Sequence, residues 1–339
     1  MSTHRAESRR AQPVPLCDWS QLRAPRSAHL LLDAARRSGR RPSLGTTDAT
    51  QLVDLHSCLV TRLPTARRIV LAGTEPGCGV STVAAVITSL LGVVRSAPLL
   101  TVDASAHSDH VRLDVLLAGD PWPALTLQRF VSDGAPANAA DAHQRLIRIG
   151  HHSWLLPQST AAPGPVLDAE TIERAISPIE DRFDLTILDL GRATTRELAA
   201  GRLANLLPSA DVVGLVVGAD AAASTRVLLD AQAGRDPGSW AARTILVTNQ
   251  VRPGRRLGPG REQLTLRHDP ALRSTSTVPS DLKAGTRASA VRIAAALLRR
   301  AATTTRGAAA GGNGDEAGAA VVRPTTALES GWSMAGCNS

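Results

Sequence analysis

The stretch that decides the fold is Arg67–Ser105, RRIVLAGTEPGCGVSTVAAVITSLLGVVRSAPLLTVDAS. Its pattern predicts a strand at Ile69–Ala72, a glycine-rich turn, a helix at Val83–Val94 and a strand at Leu99–Val102 that stops at Asp103. A glycine-rich turn between a strand and a helix amino terminus gathers unpaired amide N–H groups and can cradle phosphate. We therefore expect an anion-binding turn, although it contains no lysine.

Strands and helices alternate from Arg67 onward. This alternation predicts an α/β fold, doubly wound around a mostly parallel sheet. Further strands are predicted at Leu185–Leu188, Val212–Val217, Thr244–Thr248 and Leu264–Leu266, with a strand-rich region at Leu146–Leu156. Further helices are predicted at Ala124–Val131, Pro165–Ser177, Thr195–Leu207, Ser224–Ala233 and Arg287–Arg300.

Polar side chains follow three of the apolar strands. Asp103, Asp189 and Asn249 each come directly after, or at the end of, a predicted strand. Because ligands of open parallel sheets lie at the carboxyl ends of the strands, we expect these three residues to share one site.

The composition divides the 339 residues into three parts. Residues 1–66 are an Arg/Pro-rich tail, expected to be mostly disordered with one or two helices, at Ala28–Arg37 and Ala49–Arg62. Residues 67–300 form the folded domain, with a core of Val, Leu, Ile and Ala because aromatic residues make up only 2%. Residues 301–339 are an Ala/Gly-rich tail without periodicity, which predicts disorder.

Composition also limits the class of protein. Four scattered cysteines without C-x-x-C spacing indicate neither a zinc site nor a disulfide framework. Without a signal peptide or a membrane-spanning apolar run, we expect a cytoplasmic protein whose membrane contact, if any, is peripheral. The net charge of +8 fits either a solvated basic surface or contact with nucleic acid or an anionic membrane, and the basic loop 252–263 leaves the same alternatives open.

Residues 67–300 resemble the MinD/ParA family of deviant P-loop ATPases. The loop of that family, Lys-Gly-Gly-x-Gly-Lys-Ser/Thr-Thr, aligns with residues 75–82, EPGCGVST. FDLTILDLG at 183–191 resembles its Walker B strand, and ILVTN at 245–249 the strand whose asparagine faces adenine. HDPALR at 268–273, followed by the helix from Arg287, resembles the carboxyl-terminal end of actinobacterial members.

The resemblance implies ATP or ADP with Mg²⁺ as the cofactor. The implied nucleotide-binding residues are Gly77, Cys78, Gly79, Val80, Ser81, Thr82 and Asn249. Ser81 and Asp189 are the implied Mg²⁺ ligands, and Asp103 is the candidate catalytic residue. Other readings stay open, because Ser and Thr also cap helices, and Asp, Asn and Gly also build ordinary turns.

Three departures from the family pattern remove catalytic groups. Val80 stands where the phosphate-contacting lysine belongs, and Glu75 where the lysine that reaches across a dimer belongs. Ser105 replaces the second acid of the family's Asp-x-Asp. Because losing one preorganised contact costs about 10²–10³ in rate, we expect a weak or inactive ATPase unless an arginine substitutes. Arg67, Arg68 and above all Arg192 are the candidates.

The resemblance therefore suggests a regulator or adaptor of an intracellular assembly, in partition, cell division or a type VII secretion-like process. It implies a protein partner and a homodimer. One alternative is an active MinD/ParA-type ATPase in which an arginine replaces the lysine. Another is a non-catalytic module that binds DNA or a membrane surface, with the helix Arg287–Arg300 either lying on a membrane or packing on the sheet.

Overall fold

The computed structural model describes residues 54–105, 113–118, 126–134, 136, 139–158, 168–192, 206–222, 225–227, 229–230, 240–253, 264–273 and 281–304. All of them belong to one compact unit, Met1–Thr305. The predictions for residues 1–53, including the helix Ala28–Arg37, for residues 305–339 and for residues 254–263 of the basic loop lie outside the described residues.

The described strands form one eight-stranded sheet in the order β3-β4-β2-β5-β1-β6-β7-β8. The strands are β1 (Arg67–Gly73), β2 (Leu99–Asp103), β3 (Ile147–Arg148), β4 (Ser153–Leu156), β5 (Leu185–Arg192), β6 (Val212–Gly218), β7 (Thr244–Asn249) and β8 (Leu264–Leu266). Every neighbouring pair is parallel except β3 and β4, which are antiparallel. The predicted fold class, with its mostly parallel sheet, is confirmed.

The helices predicted at Val83–Val94, Ala124–Val131, Pro165–Ser177 and Arg287–Arg300 lie within a few residues of their predicted bounds. Most of the predicted helix Thr195–Leu207 and part of Ser224–Ala233 lie outside the described residues, and the helix at Ala139–Gln144 was not predicted. The described helices are α1 (residues 54–60), α2 (Val80–Val94), α3 (Leu113–Ala118), α4 (Leu127–Ser132), α5 (Ala139–Gln144), α6 (Ala169–Ile176), α7 (Leu206–Ser209) and α8 (Ala284–Thr303), with helical residues also at 225–227 and 229–230. Short 3-10 turns occupy Glu180–Arg182, Trp240–Arg243 and Pro270–Arg273. Helix α6 starts later than predicted because the Asp168 side chain accepts a hydrogen bond from Thr171 N at 2.8 Å and so caps it.

Two hydrophobic clusters cover the two faces of the sheet, as a doubly wound fold requires. One face carries α2 and α8, with Leu55 and Leu59 of α1 buried against them. The other face carries α4, α6 and α7. The core is largely aliphatic, as the composition predicts, and Phe130 and Phe183 are both buried in the second cluster.

Helix α8 packs on the sheet along its apolar side. Val291, Ala294 and Leu298 are all buried, and Cys58 of α1 donates through Sγ to Ala295 O at 3.4 Å. Packing on the sheet is therefore the alternative that the structure supports for this helix. No helix in the described part of the chain is both long and apolar enough to cross a membrane.

Two arginines begin the buried strand β1, and both are paired. Arg67 donates to Asp211 Oδ1 and to Thr304 O, each at 2.8 Å. Arg68 forms ion pairs with Glu173 and Glu180. These side chains lie at the amino end of β1, about 20 Å of extended chain from its carboxyl end. The suggestion that Arg67 or Arg68 replaces the loop lysine is therefore wrong.

Candidate functional site

The turn after β1 is built on glycines that no other residue could replace without strain. Gly77 and Gly79 have φ values of 70° and 82°, which L side chains rarely adopt. A Cβ on Gly73 would lie 2.4 Å from Cys78 Sγ and 2.4 Å from Val80 Cγ2. The turn therefore folds tightly back over the end of β1, and within it Cys78 N donates to Glu75 O at 3.5 Å.

Helix α2 begins without a side-chain cap. Its N-cap residue is Gly79, and no described side chain bonds to its first amides. Ser81 and Thr82 lie in the first turn of the helix rather than at the N-cap, so capping is not the role that the structure gives them. The uncapped amino terminus of a 15-residue helix is a site that favours an anion.

Val80 and Glu75, the two residues that replace lysines, both have side chains engaged in contacts within the protein. Val80 is buried in the first hydrophobic cluster, beneath the turn. Glu75 is half-buried, and its Oε1 accepts a hydrogen bond from Gly218 N at 2.9 Å. Neither side chain could neutralise a phosphate.

Asp103 and Asp189 form a buried carboxyl pair at the carboxyl ends of β2 and β5. They are register partners in these neighbouring strands and both are buried. Asp189 Oδ1 accepts from Gly191 N at 2.8 Å, while its buried Oδ2 has no hydrogen-bond partner among the described residues. An unpaired buried carboxylate oxygen is costly, and a bound cation or proton would relieve the cost.

Burial is the main influence on the pKa values of this pair. Burial, followed by the nearby Asp103 charge, raises the pKa of Asp189 to about 7, while the Ser81 hydroxyl facing it offsets part of the rise. Burial also raises the pKa of Asp103, against hydrogen bonds from Ser105. Ser105 donates to Asp103 Oδ1 from both N and Oγ, at 3.0 and 2.6 Å. Ser105 thus hydrogen-bonds to Asp103 and supplies no second acid.

Asn249, at the end of β7, is tied to the turn. Its Nδ2 donates to Cys78 O at 2.8 Å, and its side chain is buried. A Cβ on Gly79 would lie 2.3 Å from Nδ2, so this contact also requires glycine at position 79. In this structure the Asn249 side chain therefore ties the end of β7 to the turn.

A cavity of about 250 Å³ lies above the turn. Its lining consists of Glu75, Gly77, Cys78, Gly79, Val80, Ser81, Thr82, Gly191, Asn249, Gln250, Val251, His268, Asp269 and Leu272. The structure therefore brings all seven predicted nucleotide-binding residues to one cavity. Asp103 and Asp189 lie beside it at the ends of β2 and β5 and do not line it.

Part of the lining was not identified as site residues from the sequence. His268 and Asp269 belong to the HDPALR segment, which was noted only as a resemblance. Asp269 is fixed by accepting from Lys283 N at 2.6 Å and Ala271 N at 3.1 Å, which places this segment at the cavity. Among the lining residues there is no lysine or arginine.

The comparisons with known proteins identify the fold. A ParA family ATPase from Chlorobium tepidum TLS matches with a TM-score of 0.52 and 15% identity over 68% of this chain and 98% of that chain. The MinC:MinD cell division protein complex of Aquifex aeolicus contains a chain that matches with a TM-score of 0.50 and 18% identity, over 69% of this chain and 96% of that chain. No protein-family model and no curated protein sequence matches the chain.

Proposed function

We propose, from the premise that this chain has the MinD/ParA-type P-loop fold, that it is a nucleotide-binding regulator with little or no ATPase activity. It would bind ATP or ADP with Mg²⁺ in the cavity above the turn. It would act on an intracellular assembly through a protein partner rather than through turnover.

The observation that supports this proposal is a glycine-rich turn at the start of α2, next to a cavity whose described lining contains no lysine or arginine. Gly77, Gly79 and the uncapped start of α2 supply amide donors. Val80 is buried under the turn and Glu75 is bonded to Gly218, so no cation from the turn meets the transferred phosphate. Phosphoryl transfer depends on positioning and charge neutralisation, and its rate falls steeply without the latter.

The residues present fit a nucleotide with Mg²⁺. The turn amides would hold phosphate oxygens, and Ser81, whose hydroxyl faces Asp189, would hold the ion together with that carboxylate. Asn249 Oδ1 and the 268–272 segment would contact the base. Bound Mg²⁺ supplies charge neutralisation of the phosphates. The unpartnered, buried Asp189 Oδ2 supports a cation at this place.

The process and partners follow from resemblance and remain part of the proposal. One structural neighbour is a complex named for MinC and MinD, a cell division pair. By analogy, this chain would regulate partition, cell division or a type VII secretion-like assembly from the cytoplasm, with peripheral contact at the membrane. In a homodimer of the family's type, Glu75 would lie near the nucleotide phosphates of the partner subunit. Such a dimer would form only if this contact is tolerated.

A paired measurement tests the proposal. Thermal unfolding of the full chain should shift upward by a few degrees with millimolar Mg·ATP or Mg·ADP, since ligand binding stabilises the native state. Phosphate release under the same conditions should stay at the background rate. A shift without turnover supports the regulator, whereas turnover above background, or no shift with any nucleotide, overturns it.

An active ATPase is the second candidate, and one observation favours it. Arg192 ends β5 and is the register partner of Gly73, which puts an arginine at the right end of the sheet. If Arg192 replaced the lysine, Arg192→Ala would abolish measurable phosphate release while leaving the melting temperature unchanged within about 2 °C.

A further inference from the structure

The Glu75 carboxylate occupies a fixed place in the cavity wall. Its Oε1 accepts from Gly218 N at 2.9 Å, and a Cβ on Gly218 would lie 3.1 Å from the same oxygen. The glycine lets the carboxylate rest on the end of β6. Because the side chain is half-buried and bonded, its negative charge is held at one point beside the turn.

The charge acts on the turn itself. Burial raises the pKa of the Cys78 thiol to about 11, while the backbone hydrogen bond with Glu75 lowers it and the Glu75 charge raises it. Cys78 lies between the two positive-φ glycines. The carboxylate is therefore close to the amides that would bind phosphate oxygens.

Carboxyl groups flank the turn on both sides. Glu75 rests on β6, and the buried pair Asp103 and Asp189 lies at the ends of β2 and β5. The strand order places β1 and its turn between β5 and β6. The part of the cavity lining that the structure describes contains no arginine or lysine that could balance the Glu75 charge.

A cation at the ligand is indicated independently of the helix terminus. Asp189 is 0% exposed, and its Oδ2 has no hydrogen-bond partner among the described residues. Its position facing Ser81 directs the carboxyl toward the first turn of α2. One divalent cation neutralises only two of the negative charges on a bound nucleotide. The remaining negative charge on the phosphates is repelled by the fixed Glu75 carboxylate.

We propose that Glu75 is a specificity-determining residue that makes this cavity select nucleoside diphosphates over nucleoside triphosphates. The inference rests on the proposed function, since it concerns the ligand of the same cavity. Mg·ATP carries one more negative charge than Mg·ADP. Repulsion between like charges is strong in a partly buried site, where the dielectric is well below that of water.

Calorimetric titration of the full chain with Mg·ADP and with Mg·ATP tests this inference. The variant Glu75→Gln keeps the side-chain shape and an oxygen that can accept from Gly218 N, while removing the charge. The control Glu170→Gln removes a charge from a side chain that is 79% exposed and distant from the cavity lining. Glu75→Ala, whose folding is checked by thermal unfolding, is a second variant that removes the charge without introducing a side-chain amide.

The expected result is a preference of roughly tenfold for Mg·ADP, or about 1.4 kcal/mol, in the native chain and in the Glu170→Gln control. Both Glu75 variants should reduce this preference to about threefold or less by tightening Mg·ATP binding. Binding of both nucleotides without preference, or a preference that both variants retain, would overturn the inference alone. If neither nucleotide binds, the proposed function is overturned, and this inference with it.

Discussion

The two ends of the central sheet differ in whether their buried charged side chains have a partner of opposite charge. At the amino end, arginines are matched to carboxylates: Arg67 with Asp211 and Arg68 with Glu173 and Glu180. At the carboxyl end, the carboxylates of Asp103 and Asp189 are buried without a described cation beside them.

The charged groups at the amino end stabilise the fold, whereas those at the carboxyl end are suited to binding a ligand. A buried ion pair whose members are all hydrogen-bonded is satisfied in the free protein, and breaking it costs several kcal/mol. An unpaired buried carboxylate instead destabilises the free protein until a proton or a cation arrives. We interpret the carboxyl end as the binding end for that reason.

Breaking the amino end should have the largest effect. Arg68 is 2% exposed and bonds to two glutamates, so Arg68→Met would leave both carboxylates without their cation. We expect a loss of about 3–5 kcal/mol in the free energy of unfolding, measured by urea denaturation. Arg174→Met, which removes a 59% exposed partner of Glu170, should cost at most about 0.5 kcal/mol. Equal losses in the two variants would contradict the comparison.

Removing a charge from the carboxyl end should increase the free energy of unfolding instead of decreasing it. The pKa of Asp189 is raised from 3.8 to about 7, so its contribution to stability is full below pH ~4 and is lost as pH rises through about 7. Asp189→Asn, which keeps an acceptor for Gly191 N, should therefore gain about 2–4 kcal/mol relative to the native chain between pH 4 and pH 8. Urea denaturation at several pH values measures the difference. Parallel pH profiles of the two proteins would show that Asp189 is not an unpaired buried acid.

The tether between the turn and β7 should give a smaller effect. Asn249→Ala removes the donor to Cys78 O and leaves a buried carbonyl unpaired. We expect a loss of about 1–2 kcal/mol in stability, together with weaker nucleotide binding because the turn is no longer held. Asn249→Asp keeps the size but not the donor, and it should behave like the alanine variant. If both variants bind Mg·ADP as the native chain does, Asn249 does not position the turn.

The sequence was sufficient to predict the sheet and the location of the site. Strand alternation, the glycines after β1 and the polar strand ends at Asp103, Asp189 and Asn249 predicted a mostly parallel sheet and a site at its carboxyl edge, because each reflects local geometry and burial. The order of the strands in the sheet was not predicted. The buried start of β1 was harder to predict. Arg67 and Arg68 look like surface residues, and only partners more than 100 residues away explain their burial.

The uses of individual side chains at the site also depended on distant contacts. Glu75 meets Gly218 and Asn249 meets Cys78 across 143 and 171 residues. No local pattern indicates such pairings. Similarly, His268 and Asp269 reach the cavity because the chain after β8 returns to it, which spacing in the sequence does not reveal.

Binding of Mg·ATP to Val80→Lys tests most directly whether this turn is a phosphate-binding loop that lacks its cation. Val80 starts from a buried position, and a lysine stem can follow apolar surface while its ammonium reaches the cavity. Val80→Met is the uncharged control of similar length, and circular dichroism checks that both variants fold. We predict that calorimetry will show Val80→Lys binding Mg·ATP about tenfold more tightly than Val80→Met, or about 1.4 kcal/mol. Equal affinities in two folded variants would contradict the account.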